Sequence, residues 1–368
     1  MMCGTGRRGS VLITSLPLQM SSVFTGRRPA LAGAPERSTV YTANMGQVSP
    51  VFTEYEQQVI RELAMHRVQP NAIQRLLDNV GKPMVKLMNF GRTSQSRTVR
   101  SLSEHIHGWI EEGLIKTFRA ANRLANTNEI VKRYAARGIQ VGDDFESLRF
   151  MPLSQLDAVA DSFRFGSSLL LGAEGALLGS ATTLAEGIPG AQLVIPSLIL
   201  TDVTSSMTLL SRHTCRIATA YGYSSKKAEN LPHLMAAMAP QTQSSDEGYL
   251  ALKTAVVTSI RESGQFMARS SSVVLDRQLL EREAPQMIRL ITYVADRLGI
   301  VITQKELGVL VPIAGAVLNS SINVAFQQVG HQTAKDYFRR AILEDRYGEE
   351  IVAYAIQQEI AVLQERRN

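Results

Sequence analysis

Two cysteines and one tryptophan stand in a chain of 368 residues, and only 6% of positions are aromatic. Cys3 and Cys215 are too few for a disulfide framework or a thiolate metal site, and they fit a reducing compartment. No stretch alternates apolar and polar residues over a useful length, which argues against a sheet protein. The chain has no HExxH, no GxSxG elbow and no phosphate-binding loop. Gly4-Thr5-Gly6-Arg7-Arg8-Gly9 matches the dinucleotide fingerprint in spelling alone. That fingerprint needs a strand before it and a helix after it, and only three residues precede this one. A mean hydropathy of −0.03 lies far from that of a polytopic membrane protein.

What is present favours helices. Ala, Leu, Gln, Glu and Arg are plentiful, and 45% of residues are hydrophobic, ample for a sizeable core. The pI of 9.4 suggests nucleic acid until the charge is mapped. Residues 1–48 carry a net charge of +4 and the remaining 320 only +2, with no dense basic run. Nucleic-acid binding is therefore not expected. The stretch 1–48 is rich in Ser, Thr, Gly, Pro and Arg and has no helical period. It reads as a disordered or targeting-like tail, dispensable for folding. An organelle transit peptide, or translation starting later at Met20 or Met45, remains open. Residues 49–368 are expected to form a single all-helical domain.

Helix signals recur through that domain. Thr53-Glu54-Tyr55-Glu56 has capping-box spacing, and a second helix is expected after Asn71. Residues 98–125 carry a long amphipathic pattern. Gly138 to Asp144 reads as a connection, and Ser154 starts another helix. Further helices are expected over 190–222, after Pro232, over 246–270 behind Ser244-Ser245, and over 272–298 with a break near Pro285. Thr303 to Glu306 reads as a second capping box opening 304–329, and 332–345 and 349–366 close the chain. The fold class is all-α, an irregular multi-helix bundle.

Two central segments are glycine-rich and poor in charge. The first, Gly166 to Thr201, has only Glu174 and Glu186 as charges. The second, Leu307 to Ala334, has none, but its strictly apolar part is nearer 12 residues. That length suits a core helix or a re-entrant piece better than a membrane span. Gly172, Gly175, Gly179, Thr183 and Glu186 form one stripe at helical spacing. Gly308, Pro312, Gly315, Asn319, Asn323, Phe326 and Gly330 form another. Small residues let backbones approach, so the two segments are expected to pack together, with Gly190 also serving helix packing.

Within these segments the sequence resembles the EcsC protein family. Glu174-Gly175-Ala176 with Gly179, Ile188-Pro189-Gly190, Asp202, Arg212 and Ile217 through Tyr223 carry the resemblance. It resumes at Val311 through Asn319, Asn323 through Phe326 and Ala334 through Arg340, and it covers roughly residues 55–345. Thr201, Thr204 and Ser224 depart from the pattern, which usually has Ala, Pro and Asp there. The resemblance implies a bacterial-type helical protein linked by name to a protein-secretion ABC-transporter operon. It implies fold and membrane association and carries no defined chemistry.

The search for chemistry is sparse. His105 and His107 point about 200° apart on a helix and cannot share a metal. All six histidines read as satisfied surface or interface groups, and Cys215 as a small core residue. Asp202 follows fifteen uncharged residues and precedes nine more. It is a helix cap, a buried ion-pair member or a proton-handling acid, with Arg212 and Arg216 as partners in reach of sequence. Glu174 poses the same question. Gly222 between Tyr221 and Tyr223 reads as a helix stop, with an aromatic wall or membrane-interface anchor as further roles. The functional expectation is a peripheral, membrane-associated accessory protein of an export or envelope system, cytoplasmic, with no metal and no cofactor. Its partner is a membrane surface or a membrane protein, and its oligomeric state is not legible. A hydrolase using Asp202 or Glu174 in a polar cavity and a conditionally inserting, pore-forming protein are the alternatives.

Overall fold

Thr53 and Glu56 form the expected capping box. The Thr53 hydroxyl accepts from the Glu56 amide at 3.2 Å, and Glu56 Oε2 accepts from the Thr53 amide at 2.9 Å. They open α1 (Glu54–Val68). The computed structural model describes residues 52–69, 75, 97–124, 127–142, 144–164, 195–240, 247–269, 277–309 and 315–366. The helix expected after Asn71, the Ser244-Ser245 cap and positions 166–194 of the first charge-poor segment lie outside them.

The helices that follow are α2 (Arg97–Leu124), α3 (Thr127–Ala135), α4 (Leu153–Asp161), α5 (Ile195–Ala220) and α6 (Leu231–Ala236). Then come α7 (Glu247–Arg269), α8 (Arg277–Glu283), α9 (Pro285–Val309), α10 (Gly315–Tyr347) and α11 (Glu349–Glu365). Among the described residues there is no strand, and the all-α fold class stands.

The terminators explain most boundaries. Gly222, at φ 85°, is the left-handed residue after α5. Tyr223 N–H bonds Ala218 C=O at 2.8 Å and Gly222 N–H bonds Thr219 C=O at 3.1 Å, the paired bonds of a Schellman stop. Pro285 separates α8 from α9, and Glu262 Oε2 accepts from the free Gln286 amide behind it at 2.8 Å. Two expected boundaries are absent. Thr303 lies inside α9, and 315–347 is one helix rather than two. A capping-box spelling starts a helix only where the preceding chain is free to leave it, and α9 is already packed against α2, α7 and α10.

Helix α10 is the centre. It packs against α1, α4, α5, α9 and α11. From Ile322 to Glu344 most residues are buried, and only Val324, Gln328, Gln332 and Asp336, one turn apart along a narrow stripe, reach the surface. Such a helix shows little amphipathic period. Gly330, the last member of the second stripe, meets α5, where a Cβ would lie 2.5 Å from Leu210 Cδ1. The first stripe, Gly172 to Glu186, lies outside the described residues, and with it the packing expected between the two segments. The described helices all belong to one compact unit, Pro50–Asn368. Among the described residues no helix is long and apolar enough to cross a membrane.

Candidate functional site

Asp202 and Ser206 lie one turn apart on α5 and face α9. Lys305 donates to Asp202 Oδ2 and, at 2.9 Å, to Ser206 Oγ. Its ammonium also stands 5.7 Å from the Phe326 ring centroid on α10. All these side chains are buried. Asp202 is thus the buried ion-pair member of the three roles considered. Its partner was not legible, because Lys305 comes from another helix. The sequence candidates go elsewhere: Arg212 is exposed, and Arg216 bonds Glu129 at 3.2 Å.

Tyr221 and Tyr223 flank the helix stop and point inward. Tyr221 donates to Asp157 Oδ1. Asp157 Oδ2 also accepts from Tyr55 at 2.5 Å and from Arg339 Nε at 2.8 Å. Arg339 reaches Glu62 at 2.7 Å. One buried carboxylate therefore ties α1, α4, α5 and α10 together. Burial, then the negative charge of Asp157, pushes the Tyr221 hydroxyl well up, so it stays protonated and donating. Tyr223 donates to Asp345 at 3.3 Å, under the Arg149 guanidinium at 3.8 Å. Both tyrosines are buried, so the membrane-interface role falls and the helix-stop role holds.

Two further polar nodes lie along α10. Lys335 bonds both oxygens of half-exposed Asp161 at 2.7 and 2.8 Å. His331 sits one turn earlier, 2.9 Å from His213 of α5 and 3.5 Å from Asp161. Burial raises the Asp161 carboxyl, but the bonds from His331 and Lys335 outweigh it and hold the group below the usual range. Burial, then the electrostatic influence of His331 and Arg216, pushes His213 down to about 3, so it is neutral. Farther on, Glu344 accepts from Tyr249 at 3.0 Å, Lys253 at 2.6 Å and Arg340 at 2.7 Å. His213 and His331 are the interface rather than the surface case. Asp157, Asp161 and Glu344 escaped sequence reasoning because isolated acids on amphipathic helices look solvated. The only signal was the basic cluster Lys335, Arg339 and Arg340 straight after the charge-free stretch.

Glu174, Gly175, Gly179 and Gly190 lie outside the described residues. Gly315 opens α10, and Asn319 lies in its first turns, its side chain outside the described set. Asn323 is 3% exposed, and its Oδ1 has no protein partner. A cleft of about 380 Å³ runs between α2 and α5, lined by Trp109, Lys116, Leu200, Thr204 and Met207. Asp202 does not line it. Among the described residues no group of three metal-ligating side chains converges. Cys215 is buried, which pushes its thiol up to about 12 and keeps it from acting as a thiolate.

No curated protein and no solved structure matches the chain. The pattern of the EcsC protein family matches residues 57–343. That span begins within α1 and ends within α10, and it contains Asp157, Asp202, the Tyr221–Tyr223 stop and the Arg339–Arg340 pair. With most of its length under that pattern, this chain belongs to the EcsC protein family.

Proposed function

We propose that this protein is a non-catalytic accessory component of an export or envelope system, held peripherally at a membrane surface. The observation that carries the reading is what the ionisable groups do. Asp202 holds Lys305, Asp157 holds Arg339 and two tyrosines, and Glu344 holds Arg340 and Lys253. Each is engaged as a tie between or along helices, which suits a rigid scaffold. The hydrolase reading would need Asp202 free beside a substrate, and Lys305 occupies it.

A surface feature supports the membrane side of the reading. Phe150, at the end of a 3-10 turn (Phe145–Phe150), is 89% exposed. The backbone on both sides of it is clamped, because Arg346 donates to Arg149 C=O at 3.1 Å and to Met151 C=O at 2.5 Å. An exposed aromatic on a fixed turn is suited to entering the interfacial region of a bilayer. Fractionation of cells tests the reading: the protein is expected in the membrane pellet and released by alkaline carbonate. A pool extracted by detergent alone, or one wholly in the supernatant, refutes peripheral attachment.

A further inference from the structure

The contact between α5 and α10 is more polar than a helix seam of this burial requires. Leu210 meets Gly330, His213 meets His331, and Tyr221 stacks on Phe338. The two helices therefore run side by side in the same direction. The charges beside this seam are accounted for, Asp202 with Lys305 and Asp161 with Lys335. Three neutral side chains are not. Gln327 is 1% exposed, and neither its Oε1 nor its Nε2 has a protein partner. The same holds for Asn323 Oδ1, and for the hydroxyl of Thr214, which is 1% exposed. Asn323 and Gln327 fall two turns and one turn before His331, on the same side of α10. Thr214 falls one turn after Leu210, on the side of α5 that meets Gly330.

Buried polar atoms are almost always satisfied, and three on one seam point to a common cause. We propose that ordered water lies between α5 and α10 beside the His213–His331 pair, held by Gln327 and Asn323 before the Leu210–Gly330 contact and by Thr214 after it. The chemistry selects the ligand. The site offers two carbonyl acceptors, an amide donor and a hydroxyl, so its occupant must both donate and accept. It is uncharged, because every neighbouring ion already has its counter-ion. Water meets both conditions, and two to four such polar partners are what a buried water takes.

Two measurements test the site. In deuterated protein with ¹⁵N-labelled glutamine, the Gln327 side-chain amide is expected to show a rotating-frame cross-peak to long-lived water. Gln327→Met keeps the length of the side chain and removes its polar atoms. In a hydrated site it strands the waters and lowers the melting temperature by several degrees. In a dry one it removes two unsatisfied atoms and raises it. Either a silent amide or a Gln327→Met protein that melts higher than the parent overturns the proposal. If Gln327→Met does not fold, the cross-peak in the unaltered chain decides, assigned through Gln327→Asn, which retains an amide.

Discussion

Asp202→Asn keeps the outline of the side chain and removes its charge. Lys305, fully buried, then loses the Asp202 charge from among its partners. Removing one partner of a buried pair costs about 3–5 kcal/mol, because the remaining charge stays desolvated. The retained Asn oxygen and the Ser206 hydroxyl still accept from the ammonium, which places the loss near the lower end, about 3 kcal/mol. Lys305→Met removes the other charge and keeps much of the volume. The double variant Asp202→Asn with Lys305→Met removes both charges of the pair, so it is expected to regain about 2 kcal/mol relative to simple addition. Urea unfolding followed by circular dichroism, with all four proteins at one temperature, measures the cycle. A single-variant loss below about 1 kcal/mol with strictly additive effects would refute a structural pair. An unchanged stability together with an abolished cellular phenotype would move Asp202 to a catalytic or proton-linked role.

The remaining expectations concern turns, protons and the surface. Gly222→Ala should cost at least 1–2 kcal/mol in roughly the same assay, since a φ of 85° is strained for any other residue and its Cβ would meet Phe145 C=O at 2.8 Å. Gly330→Ala should be near neutral: the atom it meets is the end of the Leu210 side chain, and alanine regains about 1 kcal/mol of helix propensity. His213 and His233 are pushed by burial down to about 3 and about 4. The unfolded chain therefore binds more protons between those values and about 6.5, and their contribution falls as pH drops through that window. His66 is raised and acts in the opposite direction, because burial, its largest single influence, is outweighed by the hydrogen bond to Asp336 and that carboxylate's charge together. Comparison with His213→Phe/His233→Phe isolates the two buried groups, and an equally steep acid loss in that variant contradicts the assignment. Phe150→Ser should weaken binding to anionic vesicles about ten- to a hundredfold without changing unfolding, the amount expected for losing roughly 1.5–3 kcal/mol of buried aromatic surface. Equal sedimentation of both proteins would take Phe150 out of the interface.

A buried polar centre explains why α10 was read in two pieces. Its charge-free first half and its basic second half look like different helices in sequence. In the fold they are one, with the changes in composition matched by changes in neighbours. By helical position Asn323 and Gln327 fall on the side of α10 that carries Gly330 and His331, while Lys335 faces Asp161 of α4 and Arg339 faces Asp157 and Glu62. Thr303 misleads for a related reason. Local spelling offers a cap, but packing on both sides of α9 continues through it.

The amino-acid sequence by itself determined what depends on neighbours a few residues apart. The Thr53–Glu56 box, the break at Pro285 and the Gly222 stop all act within one or two turns, where geometry is nearly independent of the rest of the chain. It determined the all-α class in the same way, through helix propensity and period summed over long windows. Only the tertiary structure decided which polar groups meet. Asp202 finds Lys305 across 103 positions, Asp157 finds Arg339 across 182, and His213 finds His331 across 118. A lone acid on a helix has the same local signature whether it faces water or an arginine. Its role is set by the desolvation and pairing that arise when helices distant in sequence pack together.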